Sequence, residues 1–190
     1  MKFCFVGLGN PGKEYENTRH NVGFLIIDKI SFHLGIKRFN NFEKQLLWAS
    51  ISLDKKIIYL VKPYSYMNNS GIPLRDFCRY KNINVDELIL IYDDVDIKIG
   101  KIKIKKDGSS GGHKGVQSII DSFGTSDIKR IRVGIGPKPK DVDLSCYVLS
   151  PFKKEEVPLL NSVVDRMKEI FESIVNRGID YAISRYNSNF

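Results

Sequence analysis

Short continuous apolar runs and helical apolar stripes divide the chain into strands and helices. Phe3 to Val6 reads as a buried strand that ends in the glycine-rich turn Gly7-Leu8-Gly9-Asn10-Pro11-Gly12. After a polar stretch, Val22, Leu25, Ile26, Ile30 and Leu34 recur at helical spacing, so the chain opens strand, long loop, helix. Leu46 to Leu53 and Ile57 to Val61 are apolar segments separated by Asp54-Lys55-Lys56, the pattern of a hairpin. Asn68-Asn69-Ser70-Gly71 reads as a loop, and Pro73 as the start of a helix that turns Leu74, Phe77 and Cys78 inward. Leu88 to Tyr92 is a buried strand ending on Asp93-Asp94.

In the second half Lys101-Ile102-Lys103-Ile104-Lys105 alternates strictly, which puts lysines on one strand face and isoleucines on the other. Gly108 to Gly115 reads as a mobile connector, followed by a short helix through Val116, Ile119, Ile120 and Phe123. Ile131, Val133 and Ile135 alternate with Arg130, Arg132 and Gly134 in the next strand. A final helix carries Leu160, Val163, Val164, Met167, Ile170, Phe171, Ile174 and Val175 on one stripe and stops at Gly178. Strands mixed with helices predict an α/β domain whose central sheet is covered by helices.

Composition narrows this picture. With 190 residues, 42% of them hydrophobic, the chain can bury one sizeable core, and a single domain over 1–190 is expected. The 30 Lys+Arg against 22 Asp+Glu leave a formal charge of +8, a bias toward polyanions that is equally compatible with an ordinary basic protein. Cys4, Cys78 and Cys146 are odd in number and far apart, which argues against a disulfide framework or a zinc knuckle and for a reducing cytosol. No apolar run approaches signal-sequence or membrane-spanning length, so a cytoplasmic protein without a membrane anchor is expected.

Two short motifs invite a function and fit poorly. Gly7-x-Gly9-x-x-Gly12 spells the dinucleotide fingerprint, yet Pro11 and the polar run to Asn21 delay the helix whose N-terminus should meet a pyrophosphate. Asp28, the nearest acid, falls inside the helix rather than at a second strand end. Gly108-Ser109-Ser110-Gly111-Gly112 spells a serine-hydrolase elbow, but only His113 lies beyond Ser110, so the order serine, acid, histidine cannot be built.

Of the three histidines, His33 sits inside a helix and His113 in the glycine-rich connector, where it meets either a ligand or solvent. His20 follows a strand-end turn in a loop rich in Asn, Thr and Arg, the kind of position from which sites are built, although a surface histidine is the competing account. Asp93 also follows a buried strand. If the two strands run parallel and close together, Asp93 can fix the tautomer of His20 and leave the other ring nitrogen to take a proton from water; otherwise Asp93 caps a turn. Asn10 and Asn68 each follow an apolar strand, and an amide suits holding a carbonyl or a water as well as making a turn. Lys98, Lys101, Lys103, Lys105, Lys106, Arg130, Arg132, Lys138 and Lys140 form either a phosphate-binding surface or a solvated strand face.

Val6-Gly7-Leu8-Gly9-Asn10-Pro11-Gly12, Tyr15, Thr18-Arg19-His20-Asn21, Tyr66-Met67-Asn68-Asn69-Ser70-Gly71, Asp93-Asp94-Val95-Asp96, Gly111-Gly112-His113 and Arg132-Val133-Gly134-Ile135-Gly136 together resemble the bacterial peptidyl-tRNA hydrolase family in order and spacing. The resemblance runs from Met1 to about Leu149. It implies a single domain with a central twisted mixed β-sheet sandwiched by α-helices, a monomer that uses no metal or cofactor. It also implies cleavage of the ester between a peptidyl group and the 3′ ribose of tRNA. By position it implies that His20 is the base, Asp93 its supporting carboxylate, and Asn10 the residue that tells blocked from free aminoacyl groups. Tyr15, Tyr66 and Asn68 match tRNA- or peptide-contacting positions, with Tyr66 where Phe is common. Lys114 departs from the family, which has asparagine there, and a lysine cannot accept a hydrogen bond. The rival readings are a non-catalytic RNA-binding module on the same scaffold and a nucleotide-dependent oxidoreductase.

Overall fold

Strand β1 (Lys2–Gly7) pairs in parallel with two strands distant in sequence, β4 (Lys56–Pro63) on one side and β5 (Leu88–Lys98) on the other. This computed structural model describes residues 1–187. Around that centre, β2 (Asn40–Phe42), β3 (Leu46–Leu53), β6 (Ile102–Lys105) and β7 (Lys129–Gly136) complete a mixed sheet in the order β2-β3-β4-β1-β5-β7-β6. The β5–β7 pair is parallel, and the β2–β3, β3–β4 and β6–β7 pairs are antiparallel. The β3–β4 hairpin turns on Asp54 and Lys55, both at positive φ, the twist-compatible conformation of a two-residue turn.

Helices cover both faces, as the alternation within the strands requires. Phe5, Ile58, Leu60, Ile89, Ile91, Ile131 and Val133 pack under α1 (Val22–His33), α5 (Val157–Arg177) and α6 (Ile179–Tyr186). Their strand neighbours Cys4, Val6, Tyr59, Val61, Leu88, Leu90 and Tyr92 pack under α2 (Gly71–Lys81) and α3 (Lys114–Phe123). A short α4 (Leu144–Val148) precedes the long α5. The α/β single-domain reading is borne out; its expected extent of 1–190 reaches past the described residues.

Several boundaries differ from expectation. Strand β5 does not stop at Asp93-Asp94 but continues to Lys98, pairing with β7 on both sides of a register shift. A carboxylate ends a buried strand only when it must reach water, and Asp93 finds its partners inside the protein. The glycine connector ends at His113, because Lys114 and Gly115 already form the first turn of α3. α4 and α6 were not anticipated: α4 is only 5 residues long, and α6 follows the glycine that stops α5. Arg130 was expected on a basic face and is 1% exposed. Its Nε donates to Ile128 O, its Nη1 to Ser109 O and its Nη2 to Ser126 O, so it ties the glycine connector to the sheet.

Candidate active site

The site follows from the order of strands. After β1 the chain runs through α1 to one side of β1, then returns to β5 on the other, and the crevice beyond the carboxyl ends of β1 and β5 is such a switch point. The register places Gly7 beside Ile91, and Leu8 N donates to Ile91 O at 2.9 Å, which extends the pairing to the start of the glycine turn. Asp93, two residues beyond Ile91, shares the sheet face covered by α1. His20 lies just ahead of α1 on the 3-10 turn Arg19–Asn21.

That turn is buried despite its polarity: Thr18, Arg19, His20 and Asn21 are all inside, each with a partner. His20 Nδ1 lies 2.8 Å from Asp93 Oδ1 and 3.0 Å from Oδ2. His113 Nε2 lies 3.0 Å from the same Oδ1, and the two imidazoles are 4.9 Å apart between centroids. His113 Nδ1 accepts from Val116 N as the cap of α3, so its proton sits on Nε2 and points at Asp93. A carboxylate only accepts, so His20 presents Nδ1–H to Asp93, and in the neutral tautomer this fixes, its lone pair is on Nε2. Burial by itself pushes the Asp93 carboxyl up, but the imidazoles of His113 and His20 and their hydrogen bonds outweigh it and hold it well below the usual carboxylate range.

The ring and carboxylate ligand atoms of His20, Asp93 and His113 all lie within 4.8 Å of one another, close enough to be weighed as metal ligands. The Nδ1–Oδ1 and Nε2–Oδ1 separations of 2.8 and 3.0 Å are hydrogen-bond distances, and the two imidazoles meet the carboxylate as its donors. The two motif readings rejected on the sequence meet physical obstacles too. A Cβ at Gly7 would run into Gly23 O and one at Gly9 into the Phe24 ring, so these glycines admit α1 against β1 rather than a pyrophosphate. Asp28 pairs with Lys62. Both ring nitrogens of His113 are engaged, leaving it no lone pair to activate Ser110.

A cleft of about 700 Å³ opens in front of this cluster. It gathers Asn10, His20, Tyr66, Asn68, Asp93, Lys105 and Lys114 among the residues singled out in the sequence. Tyr15 and Lys103 are not in its lining. Tyr15 is half-buried, and its carbonyl accepts from Thr18 N and Oγ1, which shapes the turn before His20. Asn10 is buried: its Oδ1 accepts from Met67 N at 2.8 Å, while Asn21 clasps its backbone through both N–H and C=O. Tyr66 is 58% exposed at the rim, and Asn68 and Lys114 are exposed. Lys114 has no ion-pair or hydrogen-bond partner among the described residues.

The sequence left His113 undecided, gave Met67 and Asn21 no individual role, and did not show α4, whose Leu144, Ser145 and Val148 form a wall of the cleft. The available signal for His113 was its place just ahead of the amphipathic helix, where an N-cap side chain folds over the first turn to accept a backbone N–H and is thereby fixed. Arg132, half-buried in the lining, binds Asp94; burial pulls its guanidinium down, and that partner more than compensates.

The model of the peptidyl-tRNA hydrolase family matches residues 4–190. The chain belongs to the peptidyl-tRNA hydrolase family. It is 49% identical over 183 residues to the peptidyl-tRNA hydrolase of Thermotoga maritima, covering 96% of each chain. It is 43% identical over 185 residues to that of Alkaliphilus metalliredigens, covering 97% of this chain and 99% of the other. A crystal structure of peptidyl-tRNA hydrolase from Acinetobacter baumannii aligns with a TM-score of 0.91 at 28% identity, over 98% of this chain and 94% of that one. Membership in the peptidyl-tRNA hydrolases places the protein among carboxylic ester hydrolases of translation. Among the described residues no helix is long and apolar enough to cross a membrane.

Proposed function

We propose that this protein is a peptidyl-tRNA hydrolase that cuts the ester between an N-blocked aminoacyl or peptidyl group and the 3′ ribose of tRNA. In the cell it recycles prematurely released peptidyl-tRNA, as a cytoplasmic monomer whose residues 1–190 form one domain and which uses no metal or cofactor. The observation that carries the reading is the Asp93 carboxylate bonded to His20 Nδ1, which directs the other ring nitrogen, Nε2, to the role of base at a cleft of about 700 Å³. In the reaction His20 Nε2 takes a proton from water and the oxygen attacks the ester carbonyl. The tetrahedral intermediate collapses, and the proton is returned to the departing 3′ oxygen. Asp93 steadies the imidazolium between these steps.

Asn10 and Asn68 position the carbonyl and the water. The two are not equivalent in this role, because Asn10 Oδ1 is committed to Met67 N and only its Nδ2 remains to donate. Tyr66 offers an aromatic face at the cleft rim for a base or a peptide side chain. Lys105 and Lys114 meet phosphates near the cleft, whereas Tyr15 and Lys103 act from outside its lining. Incubation with N-acetylaminoacyl-tRNA and with its free-amine counterpart tests the reading: cleavage of the blocked substrate alone is expected, and cleavage of neither overturns it. His20→Ala should lower kcat by roughly 10²–10⁴-fold while tRNA binding persists.

A further inference from the structure

Arg19, the residue before the proposed base, is spent neither on the cleft nor on solvent. Its guanidinium is buried at 2% exposure, and Nη2 donates to Glu156 Oε2 at 2.8 Å. It lies over the ring of Tyr147 at 4.6 Å and that of Phe152 at 5.0 Å. Nε and Nη1 find no acceptor among the described residues, so the cation is held by one carboxylate and two aromatic faces. A buried, incompletely bonded cation adds little to stability compared with an apolar side chain of similar volume. What it does provide is a fixed geometry among the groups it touches.

Those groups belong to one segment. Tyr147 lies on α4, and its hydroxyl donates to Ile135 O of β7. Phe152 and Glu156 lie on the stretch leading into α5, where Glu156 Oε2 also accepts from Lys153 N. The backbone repeats the connection: Arg19 N donates to Ser150 O at 3.0 Å, and Thr18 pairs with Pro151 in an antiparallel bridge. While Tyr147 faces Arg19, Leu144, Ser145 and Val148 of α4, with Leu149 after them, line the cleft. His20 itself has separate anchors, Asp93 for its ring and the Asn21–Asn10 clasp for its turn.

We infer that Arg19 is a positioning residue that sets the α4 wall of the cleft at a fixed distance from the turn bearing His20, and thereby governs substrate binding rather than the chemical step. The inference rests on the hydrolase reading above. Loss of the clamp leaves the wall held by the backbone bonds at Ser150 and Pro151 and by the Tyr147 hydroxyl alone, so its side chains shift against the cleft while His20 stays oriented; KM should rise and kcat should change little.

The test is steady-state hydrolysis of N-acetylaminoacyl-tRNA by wild type, Arg19→Lys and Glu156→Gln, well below the Tm of each and with folding verified by circular dichroism. Arg19→Lys keeps the charge without the planar fork; Glu156→Gln leaves the arginine and its rings in place, so it reports even if the first variant does not fold. The expected result is a KM raised at least about 5-fold with kcat within about 2-fold of wild type, the signature of lost binding without lost transition-state chemistry. A role confined to stability lowers Tm and leaves KM unchanged, and that result, or a fall in kcat alone, overturns the inference. Failure of wild type to cleave the substrate would instead count against the hydrolase reading. In that case tRNA affinity of the same variants, measured by filter binding, decides the clamp: unchanged affinity overturns it.

Discussion

A carboxylate held between two imidazoles, as Asp93 is between His20 and His113, is worth more to the site charged than neutral, and that preference is measurable. Its folded pKa is depressed, so its contribution to stability is complete above the unfolded value of about 3.9 and drains away as pH falls below that toward the folded value. The urea-unfolding midpoint of wild type should therefore exceed that of Asp93→Asn at neutral pH, with the gap shrinking below about pH 3.9. A gap constant with pH would show that the charge plays no part. Lys114 makes a different test of the same cleft, because a free ammonium at its lining acts through salt-sensitive attraction. Lys114→Ala should leave kcat near wild type and reduce the slope of log KM against log salt by about 1, the effect of one lost phosphate contact. An unchanged slope would remove Lys114 from the binding surface. At this scale the sequence revealed His20, Asp93, Asn10 and Asn68 as chemical candidates. It did not reveal His113, since a histidine in a glycine run reads alike whether it caps a helix against a buried acid or meets solvent.

At the scale of elements, the site depends on how closely α3 approaches the 3-10 turn Met67–Asn69. Gly115, on the first turn of α3, allows this contact: a Cβ there would collide with Met67 Sδ and come within 3.2 Å of His113 Cε1 and Leu8 Cδ1. Gly115→Ala should cost about 1–3 kcal/mol by overpacking. It should also lower activity, since Met67 N is the donor that holds Asn10 Oδ1 and His113 is bonded to Asp93. Thermal melting alongside turnover checks both; a variant with wild-type Tm and rate would show that the Met67 side chain or α3 yields to the added methyl. The periodic elements were legible because burial on one face imposes a period of 3.6 or 2 on the residues that make it. Two kinds were not. α4 is too short to show a period, and β5 runs on through Asp93-Asp94 because its acids are paired with His20, His113 and Arg132, all supplied by other elements.

For the whole molecule, the sheet divides the interior into two apolar layers, and the crevice lies where they meet beyond β1 and β5. Phe171 of α5 packs on Phe5 at 4.9 Å between centroids in one layer, and Phe77 of α2 lies in the other against Trp48 at 5.5 Å. Phe171→Ala and Phe77→Ala should each cost about 3–5 kcal/mol of unfolding free energy. If the domain is one cooperative unit, each variant unfolds in a single transition by fluorescence and circular dichroism alike; separate transitions for the two layers would contradict that. The sequence by itself determined the α/β class, the two-sided burial of the strands, the charge of +8 and the order of the residues that place the chain in its family. These are local properties, written in periodicity and in residue types. Only the tertiary structure decided which polar residues are interior. Arg130 left the expected basic face to bind three backbone carbonyls, Arg19 was enclosed by Tyr147, Phe152 and Glu156, and His113 met Asp93 across 20 positions of chain. A buried charge is viable only beside its partner. Chain topology sets that pairing, and the spacing of residues along one segment carries no record of it.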